Sequence, residues 1–244
     1  MGEAILIQRG GGSGEVIVEF ENFIPSNIDP SVIHSTPTAL SVARQQLAGA
    51  SIGDYALFAG GSGSSSPGYK NTVDAYDTSL TRSTPTALSV ARYYLAGARV
   101  GNHTLFAGGS IGTSYSDVVD AYDTSLTRST LTALSLGRYG LAGASIGDYA
   151  LFAGGAQFGI HYDTVDAYDT SLTRSTPTTL SVERRYLAGA SVGNYALFAG
   201  GEYDSSSHSD AVDAYDTSLT RSTPTALSVG RRWLAGASIG DYAL

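Results

Sequence analysis

Hydrophobic positions along this chain come in short bursts, each closed by Gly, Asp, Asn, Ser or Pro. One stretch shows the pattern. Leu47-Ala-Gly-Ala50 leads through the turn Ile52-Gly-Asp54 into Tyr55-Ala-Leu-Phe-Ala-Gly-Gly61. A polar loop follows, then Val73-Asp-Ala-Tyr-Asp77, Thr78-Ser-Leu-Thr-Arg82 and Ser83-Thr-Pro-Thr-Ala-Leu-Ser-Val90. The bursts are rich in Val, Tyr, Phe, Thr and Leu and too short for helices, so the pattern predicts four antiparallel strands joined by turns.

The same unit recurs. Ser35-Thr-Pro-Thr-Ala-Leu-Ser-Val42 is repeated, with small changes, from Ser83, Ser129, Ser175 and Ser222, in steps of 48, 46, 46 and 47 residues. A four-stranded unit of this length fits a β-propeller blade, which cannot bury both faces of its sheet alone and must stack on neighbours. The 34 residues before Ser35 and the 23 from Ser222 onward together amount to one unit and about ten residues more. The expected fold is therefore all-β: one five-bladed propeller domain over 1–244, with repeats from 35 to 244. Residues 1–34 form its closing segment, so that strands from both termini share the fifth blade and leave no open sheet edge. In that segment Val16-Ile-Val-Glu-Phe20 takes the place of Val-Asp-Ala-Tyr-Asp, and Ala4 to Gln8 either replaces or flanks the strand at Asp241-Tyr-Ala-Leu244. Ala48, Gly49, Ala50 and their repeats are the small residues that a crowded inner strand needs.

Composition narrows the partners. The 244 residues are 42% hydrophobic and 15% charged, with 30 Gly, no Cys and a net charge of −8. The acidic balance, with no basic run, lacks the electrostatic footprint of a nucleic-acid or anionic-membrane binder. No apolar run approaches the ~20 residues of a membrane helix, so no membrane insertion is expected. Glu3 stands where a secretory signal needs positive charge, so no Sec export is expected, and the expected setting is cytoplasmic or virion-associated. Without cysteine there are no disulfides, thiolate metal sites or cysteine nucleophiles.

Ala-Leu-Phe-Ala-Gly-Gly, followed after a loop by Val-Asp-Ala-Tyr-Asp, resembles the kelch repeat. The family's double glycine corresponds to Gly60-Gly61, Gly108-Gly109, Gly154-Gly155 and Gly200-Gly201, and its tyrosine to Tyr76, Tyr122, Tyr168 and Tyr215. Arg44, Arg92, Arg138, Arg184 and Arg231 stand where kelch units often carry an arginine before the inner strand. Where such units usually place a tryptophan, this chain has Arg82, Arg128, Arg174 and Arg221. The resemblance implies a kelch-like propeller that binds partners on one face. The opening Gly2-Glu-Ala-Ile-Leu-Ile-Gln-Arg-Gly-Gly-Gly12 is similar to the start of prophage-encoded, tail-associated proteins of Gram-positive bacteria.

Copies that otherwise agree diverge at two places. One is the pair after the arginine: Gln45-Gln46, Tyr93-Tyr94, Tyr139-Gly140, Arg185-Tyr186 and Arg232-Trp233. The other is the loop after Gly-Gly: 62–71, 110–117, 156–163 and 202–210. In a four-stranded meander both lie at the same end of the blade, whereas the opposite turns barely vary. Variation rich in Tyr, Trp, Arg, Ser and Gly on one rim is the composition of a recognition surface. The expected binding residues are Gln46, Tyr93, Tyr94, Tyr139, Arg185, Tyr186, Arg232 and Trp233 at the mouth of the central channel. Arg44, Arg92, Arg138, Arg184 and Arg231 are expected to flank them.

No catalytic constellation emerges. His34, His103, His161 and His208 are scattered, and an Asp pair such as Asp74/Asp77 that recurs in every full copy fits strand-end and turn hydrogen bonding better than catalysis. Gly10-Gly-Gly-Ser-Gly14 lacks the Gly-Lys-Ser/Thr ending of a phosphate loop, and no calcium loop is present. The copper and radical chemistry of some kelch-fold oxidases needs a cysteine. The expectation is thus a non-catalytic module with no cofactor or metal, binding a protein or a cell-surface glycan, in a phage or prophage tail setting. The competing reading is a purely structural repeat protein without a ligand.

Overall fold

The computed structural model of the protein describes residues 36–244 apart from 65–67, 205–206 and 240. The expectations for Ala4 to Gln8, Gly10 to Gly14 and Val16 to Phe20 lie outside the described residues. Contacts divide the chain into Met1–Pro37 and Thr38–Leu244, and every described strand belongs to the second unit. Its described residues form strands and turns and no helix.

The first sheet runs β1 (Ala48–Ile52), β2 (Tyr55–Ala59), β3 (Val73–Tyr76), β4 (Arg82–Ser83), antiparallel and in chain order. The second repeats it as β5 (Ala96–Val100), β6 (His103–Ala107), β7 (Val119–Asp123) and β8 (Arg128–Thr130). The third has β9 (Ala142–Ile146) and β10 (Tyr149–Ala153), then a small hairpin, β11 (Ala156–Gln157) and β12 (Ile160–His161), before β13 (Val165–Asp169) and β14 (Arg174–Ser175). The fourth holds β15 (Ala188–Val192), β16 (Tyr195–Ala199), β17 (Val212–Asp216) and β18 (Arg221–Ser222). A two-stranded pair, β19 (Ser238–Ile239) and β20 (Tyr242–Ala243), comes last.

Four of the five predicted units are thus four-stranded sheets, and only the pair β19–β20 is described for the fifth; the four differ from expectation in two details. The first turn is shorter than expected: Ile52 pairs with Tyr55, leaving Gly53-Asp54 alone between the strands, with Gly53 at φ 51°. The fourth strand is only two or three residues long. Proline two residues after Ser83 ends it, because Pro has no N–H for the ladder. The segment Pro-Thr-Ala-Leu-Ser-Val is instead a connection to the next sheet.

Strand positions alternate between two cores. Leu105, Ala107 and Ala121 of the second sheet pack on Phe152 and Tyr168 of the third. From its other side, Phe106 and Tyr122 pack on Ile52, Leu57 and Ala75 of the first. The third and fourth sheets repeat the arrangement through Leu151, Phe198 and Tyr215. Both faces are covered, which is why Val-Asp-Ala-Tyr strands are buried almost throughout. The repeated tyrosine bridges core and connection: its ring meets the strand-two phenylalanine edge-on at about 6 Å. Its hydroxyl donates to a threonine carbonyl, as Tyr122 does to Thr86 O at 2.6 Å.

The first strands of the sheets, β1, β5, β9 and β15, and the stretch 236–238 line a common cavity of about 320 Å³ with Gly, Ala, Ser and Arg99. Their glycines permit backbone-to-backbone contact. A Cβ on Gly143 would lie 2.3 Å from Gly97 O, one on Gly189 2.2 Å from Gly143 O, and one on Gly236 2.4 Å from Gly189 O. The double glycine acts one layer out: Gly60, at φ 68°, leaves only 2.6 Å between a notional Cβ and Arg92 O of the next sheet, and Gly61 N–H donates to that same carbonyl at 2.9 Å.

Candidate functional site

The two variable sets are neighbours. In four of the five divergent pairs the first residue forms an antiparallel bridge with the residue just after Gly-Gly: Gln45 with Ser62, Tyr93 with Ser110, Tyr139 with Ala156 and Arg185 with Glu202. The second residue of each pair turns inward with a left-handed backbone, at φ 59° for Gln46, 56° for Tyr94, 68° for Gly140, 56° for Tyr186 and 61° for Trp233. Their backbones link sheet to sheet. Tyr94 N–H donates to Gln46 O (2.9 Å), Gly140 to Tyr94 O (3.0 Å), Tyr186 to Gly140 O (2.7 Å) and Trp233 to Tyr186 O (3.1 Å).

That arc gathers side chains from different sheets. The rings of Tyr186 and Trp233 stack with centroids 3.6 Å apart, and Tyr94 lies 5.4 Å from each of them. Tyr139 stands 6.0 Å from both Tyr94 and Tyr186, while Tyr93 leans on Tyr94 at 5.2 Å. Gln46 Nε2 donates to the Tyr94 hydroxyl at 2.6 Å, and Ser62 Oγ donates to Gln46 Oε1 at 2.7 Å. Burial and the neighbouring tyrosines raise the Tyr94 and Tyr186 hydroxyl pKa values above the ordinary tyrosine range, so both rings stay neutral. Trp233 is 51% exposed despite its stacking.

Beside the rings lies a polar cluster present in one copy only. Glu202 is fully buried, with Arg185 Nε at 2.6 Å and Arg232 Nη1 on its other oxygen. Arg185 also donates to the Tyr139 hydroxyl, and its guanidinium lies 5.4 Å from the Tyr139 ring centroid and 4.8 Å from that of Tyr186. Burial pushes the Glu202 carboxyl up, but the hydrogen bonds from Arg232 and Arg185 outweigh it and hold the pKa below the usual glutamate value. A carboxylate pinned by two guanidiniums is an anchor for side-chain geometry and a poor proton donor. His161 is pushed down by burial and by Arg185, which keeps its imidazole neutral.

The arginines before the inner strands are the correction. Arg44, Arg92, Arg138 and Arg184 do not flank the mouth; their side chains are fully buried within their own sheets. Each ion-pairs with the aspartate of strand three: Arg44 with Asp74 (2.7 Å), Arg92 with Asp120 (2.9 Å), Arg138 with Asp166 (2.8 Å) and Arg184 with Asp213 (2.7 Å). Each also donates to the strand-two phenylalanine carbonyl, as Arg138 does to Phe152 O at 3.1 Å. The physical reason is the buried aspartate, which needs a counter-charge and finds it in the residue that its own sheet brings across. The arginine standing in the tryptophan place supplies a second one: Arg128, Arg174 and Arg221 reach the same carboxylates at 2.9–3.0 Å. Arg231, in the last repeat, is exposed and has no such partner among the described residues.

Of the residues expected at the mouth, Gln46, Tyr93, Tyr94, Tyr139, Arg185, Tyr186, Arg232 and Trp233 come together in these contacts. Sequence reasoning missed Glu202, Tyr115 and Phe158. Glu202 carried a signal, since an acid stands there where the other copies have Ser62, Ser110 and Ala156. Among the described residues no group of three His, Asp or Glu side chains could hold a metal ion. The arrangement offers aromatic faces, tyrosine hydroxyls and two guanidiniums, which is chemistry for contact.

No family model matches the chain, and no curated protein matches it. Among solved structures, that of YjhT is similar with a TM-score of 0.68 at 15% identity, covering 82% of this chain and 76% of that one. At this identity the likeness concerns the fold: the described residues form a propeller-like, all-β array of four-stranded antiparallel sheets.

Proposed function

We propose that this protein is a non-catalytic recognition module whose ligand docks on the variable face around Tyr94, Tyr186 and Trp233. The observation that carries the reading is the convergence of those three rings, from different sheets, on the face where the copies diverge, with Trp233 51% exposed. Bulky rings gathered from three different sheets, one of them half exposed, offer rigid contact area to a ligand.

In this reading the five units are the blades of one kelch-like ring, supported by the cavity that all five inner strands line. The setting that the opening residues suggest, a phage or prophage tail apparatus, suits a module that meets a cell surface. The ligand is accordingly a cell-surface glycan or a protein loop. The test is binding of the labelled protein to a glycan array and to intact Gram-positive cells. The wild type is expected to bind and the triple variant Tyr94→Ala/Tyr186→Ala/Trp233→Ala to lose binding. No binding by the wild type, or equal binding by the variant, overturns the proposal.

A further inference from the structure

The turn end of the array, where the copies barely vary, has one exception. The fourth residue of the inner strand is Ser51, Ser145, Ser191 or Ser238 in four copies and Arg99 in the second. The turn that follows carries Asn102 where Asp54, Asp148 and Asp241 stand in the first, third and last copies, and Thr104 replaces Ala56, Ala150 and Ala243. Relative to those copies, the second hairpin has lost an acid and gained a cation. The hairpin is also braced. Thr104, fully buried, lies across the ladder from Arg99 and donates its hydroxyl to Ser51 O of the first sheet at 2.7 Å.

Serine at this place links sheet to sheet. Arg99 N–H donates to Ser145 Oγ (2.8 Å), Ser145 N–H to Ser191 Oγ (3.3 Å) and Ser191 N–H to Ser238 Oγ (3.0 Å). An arginine side chain has no acceptor, so Arg99 interrupts the series on the side of Ser51. What it brings instead is a guanidinium lining the cavity that the five first strands share. The divergent pairs precede those strands and Arg99 stands beside the last residue of β5, so it lies at the end away from the aromatic mouth. Every other residue that lines the cavity is Gly, Ala or Ser, which leaves Arg99 as its one charge, in a chain of net charge −8. Its Nε donates to Gly101 O at 3.1 Å. Among the described residues its two Nη groups have no partner, and no carboxylate pairs with it.

We propose that Arg99 and the serine hydroxyls beside it form a binding site for a small oxyanion, a phosphate or carboxylate group, at the turn end of this cavity. A guanidinium presents paired N–H donors that match two oxygens of such a group. Ser145 Oγ already accepts from Arg99 N–H and keeps its own proton to donate. A concave wall without other charges concentrates the field of a single cation. His103, which replaces tyrosine in the same hairpin, pairs with Val100 and so faces the other side of the sheet from Arg99; it takes no part.

The test is calorimetric titration of the full chain, at low ionic strength, with sodium phosphate and sodium acetate, and with sodium chloride as the control. Saturable binding of phosphate, of acetate or of both is expected, without binding of chloride, and the preferred anion tells a phosphoryl ligand from a carboxylate one. Arg99→Ser is expected to weaken that binding by about tenfold or more, as the loss of a charge-assisted hydrogen bond does. Arg99→Lys keeps the charge without the fork and should fall between the two. Four copies carry serine at this place, so Arg99→Ser should keep the wild-type melting temperature in chloride buffer, which is measured alongside. His103→Tyr and the triple variant of the aromatic face are expected to bind the anion as the wild type does. No saturable binding by the wild type, or equal binding by Arg99→Ser, overturns the proposal and leaves the recognition face untouched. Loss of anion binding in the triple variant overturns it too, because the anion would then sit at Arg185 and Arg232.

Discussion

Asp166 shows what one residue contributes to this chain. It is fully buried and held by Arg138 at 2.8 Å, by Arg174 at 2.9 Å and by the N–H and hydroxyl of Ser135 at 3.0 and 3.1 Å. The two arginines differ in what their loss leaves behind. Arg138→Ala removes the fully buried partner and leaves the Asp166 charge in the interior with only the part-exposed Arg174 and Ser135, which is expected to cost about 3 kcal/mol in urea unfolding. Arg174 is about a quarter exposed, so water replaces it, and Arg174→Ala is expected to cost less than about 1 kcal/mol. Equal losses at the two positions would contradict this assignment. The recurrence of the Asp74/Asp77 pair was legible as structural from the sequence. Its second member does form a turn: Asp77 Oδ1 accepts from the N–H groups of Ser79 and Thr81 at 2.9 and 2.8 Å. The burial of Arg44 and its counterparts was not legible. A residue just outside a strand can point to the rim or back into its sheet, and only the place of the aspartate across the sheet decides.

Among the elements, the inner strand is the most constrained. Gly189→Ala would place a Cβ 2.2 Å from Gly143 O, a backbone atom that cannot rotate aside. Overpacking of this kind costs about 1–3 kcal/mol or more, and a lowered urea midpoint with unchanged m-value would report it. Gly49 offers the comparison, since a Cβ there meets only the Phe58 side chain at 3.4 Å and Leu57 O at 3.9 Å. Gly49→Ala is therefore expected to be mild for the array as described. A loss as large as that at Gly189 would mean that another inner strand stands against β1, as a closed five-bladed ring requires. The existence of these strands was readable from Leu-Ala-Gly-Ala and Tyr-Ala-Leu-Phe-Ala. Their crowding was predicted from small residues alone, whereas the particular carbonyl that each glycine admits belongs to the neighbouring sheet.

At the scale of the whole molecule, acid should loosen the array. Asp74 and Glu202 both have folded-state pKa values below their ordinary ones: burial pushes each up, but hydrogen bonds from Ser41 and Arg44, and from Arg232 and Arg185, prevail. A depressed carboxyl stabilises the fold fully above its unfolded pKa, about 3.9 for Asp and 4.3 for Glu, and loses that contribution as pH falls through the folded value. Stability is thus expected to be flat near neutrality and to decline below about pH 4. Glu202→Gln should remove part of that decline in melting curves recorded against pH; an unchanged profile would deny Glu202 its role. What the sequence by itself determined was the repeat, its strands, their antiparallel order and the face on which the copies diverge. These follow from local periodicity and turn chemistry, which adjacent residues carry. Only the tertiary structure decided which polar residues are buried and which rings touch. The Asp–Arg pairs, the Glu202 clamp and the aromatic cluster around Tyr94 join residues that strand pairing and sheet stacking bring together from separate parts of the chain. Side-chain direction across a sheet-to-sheet interface is a property of packing, and no spacing along a single chain encodes it.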